Sequence, residues 1–171
     1  MSERFTARYR LETPFPLAAA AEAVAGEQST GTFLSVPGET EELKARAAAR
    51  VESIEELESP AEPSLPGAGR PKDWDGTVRL AEVTISWPLD NIGPSLPNLL
   101  ATVAGNCFEL RQVTGLKLLD LTLPPAFGEA NPGPQFGIEG TRRLTGVEGR
   151  PLIGTIIKPS IGLTPADTAA L

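Results

Sequence analysis

The chain has 171 residues, room for one domain of ordinary size and part of a second, and its composition of 40% hydrophobic and 22% charged residues is that of a globular protein. Fifteen Lys and Arg against 22 Asp and Glu give a formal charge of -7, a balance that repels nucleic-acid phosphates and anionic membrane surfaces, so neither is an expected partner. There is no histidine and one cysteine, Cys107, which removes Ser-His and Cys-His catalysis, intramolecular disulfides and His or thiolate metal clusters, and leaves acid-base work to Lys, Glu or Asp in a reducing cytoplasm.

MSERFTARYRLE lacks the apolar core of a signal peptide, and Arg4 to Leu11 alternate Phe5, Ala7, Tyr9, Leu11 against polar partners, as in a strand with one buried face. LAAAAEAVAG then predicts a helix over about Pro16 to Ala25 with Gly26 as its stop. A short strand is expected over Thr32 to Val36, helical composition over Leu43 to Ala49, and a weakly alternating strand over Arg50 to Leu57. The glutamates Glu52, Glu55, Glu56, Glu58 and Glu62 read as a solvated edge strand and loop. Proline and glycine density makes SPAEPSLPGAGRPKDWDG a loop.

Val83, Thr84 and Ile85 mark a strand within Thr77 to Trp87, ended by Pro88. SLPNLLATVAGN predicts a helix with Ser95 as N-cap, Pro97 in the first turn, and Gly105 and Asn106 at its close. Gly115 to Leu123 is the next strand, Pro125 to Gly133 an irregular bridge, and PQFGIEGTRRLTG a connecting helix. The order is close to βαββαβ with one extra strand, which predicts an α+β, ferredoxin-like domain: an antiparallel sheet with helices on one face.

After Gly149-Arg150-Pro151 the pattern changes. LIGTIIK is a continuous apolar run ending in a charge, the form of a parallel strand buried on both faces, and Thr164-Pro165 with ADTAAL starts a helix. We expect a strand-loop-helix unit to begin here, left without its parallel neighbours by a chain that stops inside the helix. The domains expected are 1-124 (ferredoxin-like), 125-150 (linker with a short helix) and 151-171 (the truncated start of a second domain). Lys158 ends the apolar strand, where barrel enzymes place catalytic groups and where burial lowers a lysine's pKa toward neutrality; a strand-end lysine reaching solvent is the alternative. Taken alone, Glu27 is a helix-end charge, Thr32 a strand hydroxyl, Phe33 a core ring and Asn106 a helix cap.

Three segments together resemble the RuBisCO large-chain family. GPQFGIEGTRRLTGVEGRPLIGTIIKPSIGLTP resembles its domain junction and first barrel strand, GEQSTGTF its loop after the first helix, and PNLLATVAGNCF its second helix with the glycine-asparagine turn beyond. The resemblance runs through nearly the whole chain in the family's order. It implies a ferredoxin-like domain followed by an eight-stranded α/β barrel, in homodimers where the first domain of one subunit completes the barrel site of the other.

Carried over singly, Lys158 matches the lysine that moves a proton during enolisation of a sugar-phosphate ketone. Asn106 matches the asparagine that binds substrate near Mg2+. Glu27 matches the glutamate that positions a mobile lysine, Thr32 a phosphate-binding threonine, and Phe33 the aromatic beside it, usually tryptophan. The family's Mg2+ ligands lie on the next barrel strand, so no metal ligand is assigned in this chain. Ser160 stands where carboxylating members carry a second lysine, and with Phe33 this points to a RuBisCO-like (form IV) protein. The reading is the first part of an enzyme of enolase, isomerase or decarboxylase type acting on a phosphorylated keto-sugar. A carboxylase large chain and a non-catalytic dimerisation fragment are the alternatives.

Overall fold

The computed structural model describes residues 3-30, 38-65, 69-154 and 164-170. The expected strand over Thr32 to Val36 and most of LIGTIIK lie outside these residues. Two compact units divide the chain, Met1–Asn131 and Pro132–Leu171.

In the first unit the alternating residues of β1 (Arg4–Thr13) fix the architecture: Phe5, Ala7, Tyr9 and Leu11 are all fully buried, while Arg8 and Arg10 on the other face reach solvent. A central strand results, and β1 pairs antiparallel with β3 (Arg79–Pro88) on one side and β4 (Gly115–Thr122) on the other. β2 (Arg50–Leu57) adds to the far side of β3, giving the order β2-β3-β1-β4. Between β1 and β2 come α1 (Leu17–Glu27) and α2 (Glu41–Ala47), and between β3 and β4 comes α3 (Leu96–Ala104). Each crossover skips the strand lying between its ends. This is the split βαββαβ topology expected from the sequence.

The core lies between one sheet face and α1 and α3. Ala81, Val83, Ile85 and Trp87 of β3 stand in register with Leu11, Tyr9, Ala7 and Phe5. The Phe5 and Trp87 rings stack at 5.5 Å with 12° between planes. Ala20, Ala21, Val24 and Ala25 face the core from α1, Leu99 and Val103 from α3. Alanine on this face lets α1 lie close to the sheet, and each larger aliphatic buried contributes about 1.5 to 3 kcal/mol.

Local details depart from the expectations for physical reasons. Gly26 does not stop α1, because it is buried within the last turn and the helix runs one residue on to Glu27. α2 starts early because the Thr40 hydroxyl caps it, accepting from the Leu43 N–H at 3.2 Å. β2 reads weakly because its register shifts between Val51 and Ser53: Val51 and Ile54, three apart, stand opposite core-facing Ile85 and Val83. β3 begins at Arg79, since Thr77 is held in a turn by Asp75 Oδ1 at 2.9 Å and Trp74 Nε1 at 2.8 Å. The expected bridge from Pro125 opens instead with a helix, α4 (Pro125–Ala130), whose Phe127 joins the core. Pro125 is preset for the first helical turn, a role the proline density concealed.

In the second unit α5 (Gly137–Thr145) ends at Gly146, which takes a left-handed φ of 65°, and α6 (Pro165–Ala170) follows Thr164. The Thr164 hydroxyl accepts from the Asp167 N–H at 3.2 Å and donates to Asp167 Oδ2 at 2.6 Å, so the expected N-cap is formed. Pro151 to Gly154 have no regular secondary structure.

Candidate functional site

Of the five residues singled out from the sequence, Lys158, Thr32 and Phe33 lie outside the described residues, as does Ser160. Glu27 and Asn106 are described. Glu27 is the last residue of α1 and half-buried; Asn106 is exposed and opens a 3-10 turn, Asn106–Glu109, directly after α3. α1 packs against this turn, and the Glu27 carboxylate is close enough to raise the pKa of its Cys107 thiol. The fold therefore brings the helix end bearing Glu27 to the turn bearing Asn106. Among the described residues it shows no bond between the two.

The turn is held from below. Tyr9, fully buried on β1, donates its hydroxyl to the Val103 carbonyl at 2.7 Å and so ties the last turn of α3 to the central strand. Cys107 packs beneath, its Sγ 3.7 Å from the same carbonyl. Gly105 links α3 to Asn106 in a conformation in which a Cβ would collide with the Ala101 carbonyl oxygen. A glycine is thus required for the chain to leave α3 and present Asn106 outward. Burial, reinforced by Cys107, raises the Tyr9 pKa, and burial, chiefly, raises that of Cys107. Both stay protonated at neutral pH, so Cys107 is a packing residue and no thiolate nucleophile.

Beyond α1 the chain is secured by Ser29, whose hydroxyl accepts from the Ala49 N–H and donates to the Ala47 carbonyl at 3.4 Å. The Thr30 hydroxyl is buried with no hydrogen-bond partner among the described residues.

A second polar cluster, which sequence reasoning missed, sits on the other face of the sheet. Glu12 is 5% exposed, and its carboxylate accepts from the Ser64 N–H at 2.7 Å, the Ser64 hydroxyl at 2.6 Å and the Thr114 hydroxyl at 2.6 Å. Burial pushes its pKa up, but these hydrogen bonds outweigh that and hold it below the usual carboxylate range. A cavity of about 420 Å3 adjoins it, lined by Arg10, Pro60, Leu80 and Lys117 among others. Every donor that meets Glu12 comes from a distant part of the chain, so no local motif announces it. The arrangement is a tether for the loop between β2 and β3.

Among the described residues no group of three His, Cys, Asp or Glu side chains converges to hold a metal ion, and no helix is long and apolar enough to cross a membrane.

Comparison with known proteins places these features. Residues 3–127 match the family model described as ribulose bisphosphate carboxylase large chain, N-terminal domain. The chain is similar to a 3-oxo-isoapionate-4-phosphate transcarboxylase/hydrolase of Xanthobacter autotrophicus, 56% identical over 169 residues, covering 99% of this chain and 40% of that protein. It is also similar to a 3-oxo-isoapionate-4-phosphate decarboxylase of Rhizobium rhizogenes, 51% identical over 166 residues, covering 97% and 39%. Among solved structures, a rubisco-like protein from Burkholderia fungorum is 46% identical with a TM-score of 0.71, covering 98% of this chain and 38% of that one. The chain thus spans about two fifths of the length of the relatives it matches.

Proposed function

Because the chain belongs to the ribulose bisphosphate carboxylase large-chain family through its N-terminal domain, we propose that it forms the first part of a RuBisCO-like enzyme acting on a phosphorylated keto-sugar acid, with removal of a carboxyl group through an enolate. The observation that carries this reading is the pair of relatives at 56% and 51% identity, both named for reactions of 3-oxo-isoapionate 4-phosphate. Ser160 supports it, since the second lysine of carboxylating members is replaced there by a neutral hydroxyl.

The chemistry follows from a ketone placed β to a carboxylate. As the carbon-carbon bond breaks, CO2 leaves and the bonding pair moves onto the ketone oxygen, forming an enolate. A proton must then reach the carbon that lost CO2. We assign that proton to the Lys158 ammonium, whose pKa burial at a strand end would bring toward neutrality. The Asn106 amide would donate to a substrate oxygen, Thr32 to the phosphate, and Glu27 would orient a lysine. Mg2+ would stabilise the enolate charge when bound, and its ligands would be supplied by residues other than those described. In this reading residues 1-124 form the first domain, 125-150 the linker, and 151 onward the start of the barrel, with a second copy completing the site.

The test uses a full-length protein carrying this chain, supplied in turn with 3-oxo-isoapionate 4-phosphate and ribulose bisphosphate. CO2 release from the first is expected. CO2 fixation onto the second, with no turnover of the first, would establish the carboxylase reading instead.

A further inference from the structure

Small side chains hold α1 against the sheet. Ala20, Ala21, Val24 and Ala25 form its buried face, and methyl groups bury little area and interlock shallowly, so this packing fixes the height of α1 above the sheet better than its rotation about its own axis. Gln28, directly after Glu27, takes φ -115° and ψ 46°, not the left-handed turn that commonly closes a helix. The orientation of the last turn of α1 therefore depends on what the chain meets next, and that is the contact made by Ser29.

Ser29 meets a fixed point. Its hydroxyl accepts from the Ala49 N–H at 2.5 Å and donates to the Ala47 carbonyl at 3.4 Å, both in the short connector from α2 to β2. Two other side chains grip the same connector: Asn91 Nδ2 donates to the Ala47 carbonyl at 2.7 Å, and Arg4 Nη2 to the Ala48 carbonyl at 3.0 Å. Arg4 is in turn pinned to β3, its Nε donating to Ser86 Oγ and its Nη2 to the Ser86 carbonyl, each at 2.8 Å. The Ala48 N–H completes α2 by donating to the Lys44 carbonyl at 2.9 Å. Without the Ser29 hydroxyl the connector is still tied to the sheet by Asn91 and Arg4, and it is the exit of α1 that loses its anchor.

We propose that Ser29 is a positioning residue for Glu27: by clamping the chain two residues beyond it to the α2–β2 connector, the Ser29 hydroxyl fixes the last turn of α1 and keeps Glu27 beside the turn that bears Asn106. The proposal rests on the enzymatic reading given above, in which Glu27 orients a lysine. Ser29 touches no reacting atom and acts only through Glu27. A misplacement of about 1 Å in a group that orients another costs up to about 100-fold in rate, so freeing one turn of a helix that is still packed along its length should cost roughly tenfold.

The test uses a full-length protein carrying this chain and its Ser29→Ala, Ser29→Thr, Glu27→Gln and Ser29→Ala/Glu27→Gln variants. Ser29 is half-buried and outside the core, so folding is retained. Without substrate, Ser29→Ala should speed hydrogen exchange in the last turn of α1 by about tenfold or more while the Ala48 amide keeps its protection. With whichever sugar phosphate the parent consumes, Ser29→Ala should lower kcat roughly tenfold with KM within about twofold, and in the Glu27→Gln background the same substitution should cost less than about twofold. Ser29→Thr, which keeps the hydroxyl, should follow the parent in both measurements. Unchanged exchange in α1, loosening confined to the connector, an equal loss of kcat in both backgrounds, or a Ser29→Thr protein as impaired as Ser29→Ala would each overturn the proposal. A parent that consumes neither 3-oxo-isoapionate 4-phosphate nor ribulose bisphosphate would overturn the proposed function instead, and the exchange measurement, which needs no substrate, would still decide whether Ser29 holds the turn of Glu27.

Discussion

Replacing Glu12 tests the buried tether most sharply. Glu12→Ala removes an acceptor of three hydrogen bonds, from the Ser64 N–H, the Ser64 hydroxyl and the Thr114 hydroxyl. Each hydrogen bond to a charged group is worth about 1.5 to 3 kcal/mol, but Ser64 is exposed and its donors can turn to water. Thr114 is 3% exposed and cannot. The expected cost is therefore about 3 kcal/mol, near the cost of one such bond plus an orphaned buried hydroxyl. Denaturant titration measures it, and hydrogen exchange locates it: the Ser64 amide should lose protection while Tyr9 and Val83 in the sheet interior keep theirs.

The same carboxylate sets a pH dependence. Its folded pKa lies below the unfolded value of about 4.3, so on acidification the unfolded chain takes up the proton first. The stabilisation is complete above about pH 4.3 and disappears as pH falls through the lowered pKa of Glu12. Glu12→Gln, which cannot titrate, should cost about 1 to 2 kcal/mol at neutral pH and flatten the acid limb. A Glu12→Ala protein within about 0.5 kcal/mol of the parent, with Ser64 still protected, would refute the tether.

Other perturbations follow from the packing beneath Asn106. Gly105→Ala forces a Cβ against the Ala101 carbonyl and should destabilise by about 2 kcal/mol or more, seen as a lower denaturation midpoint. Tyr9→Phe leaves the Val103 carbonyl with only the weak Cys107 thiol as a partner, for about 1 to 2 kcal/mol and faster exchange in the last turn of α3. Native Cys107, buried and with a raised pKa, should resist an aromatic disulfide reagent at neutral pH and react only after unfolding; rapid native labelling would contradict its packing role.

How much of this was readable beforehand depends on whether a feature is written locally. β1 was visible because one of its faces is buried throughout and its apolar period is unbroken, and β3 through its β-branched run Val83, Thr84 and Ile85. β2 was blurred by its register shift, and α4 by prolines that mark a helix start as readily as a loop. Gly26 misled because its meaning depends on the sheet packed against it. The tether was invisible, since Glu12 meets groups 52 and 102 residues away. At the candidate site, the glycine before Asn106 hinted at a special backbone, yet only the fold shows the Ala101 carbonyl behind that need. Glu27 and Asn106 drew attention through resemblance alone, and their common end of the domain emerges from the packing of α1 on the turn after α3.

The enolate chemistry assigned to Lys158 is tested most directly by proton exchange. In a full-length protein carrying this chain, incubated in deuterated water, the carbon that loses CO2 from 3-oxo-isoapionate 4-phosphate should acquire solvent deuterium enzymatically, and Lys158→Met should abolish both turnover and incorporation. Unchanged turnover and labelling in Lys158→Met would remove this lysine from the mechanism and contradict the account.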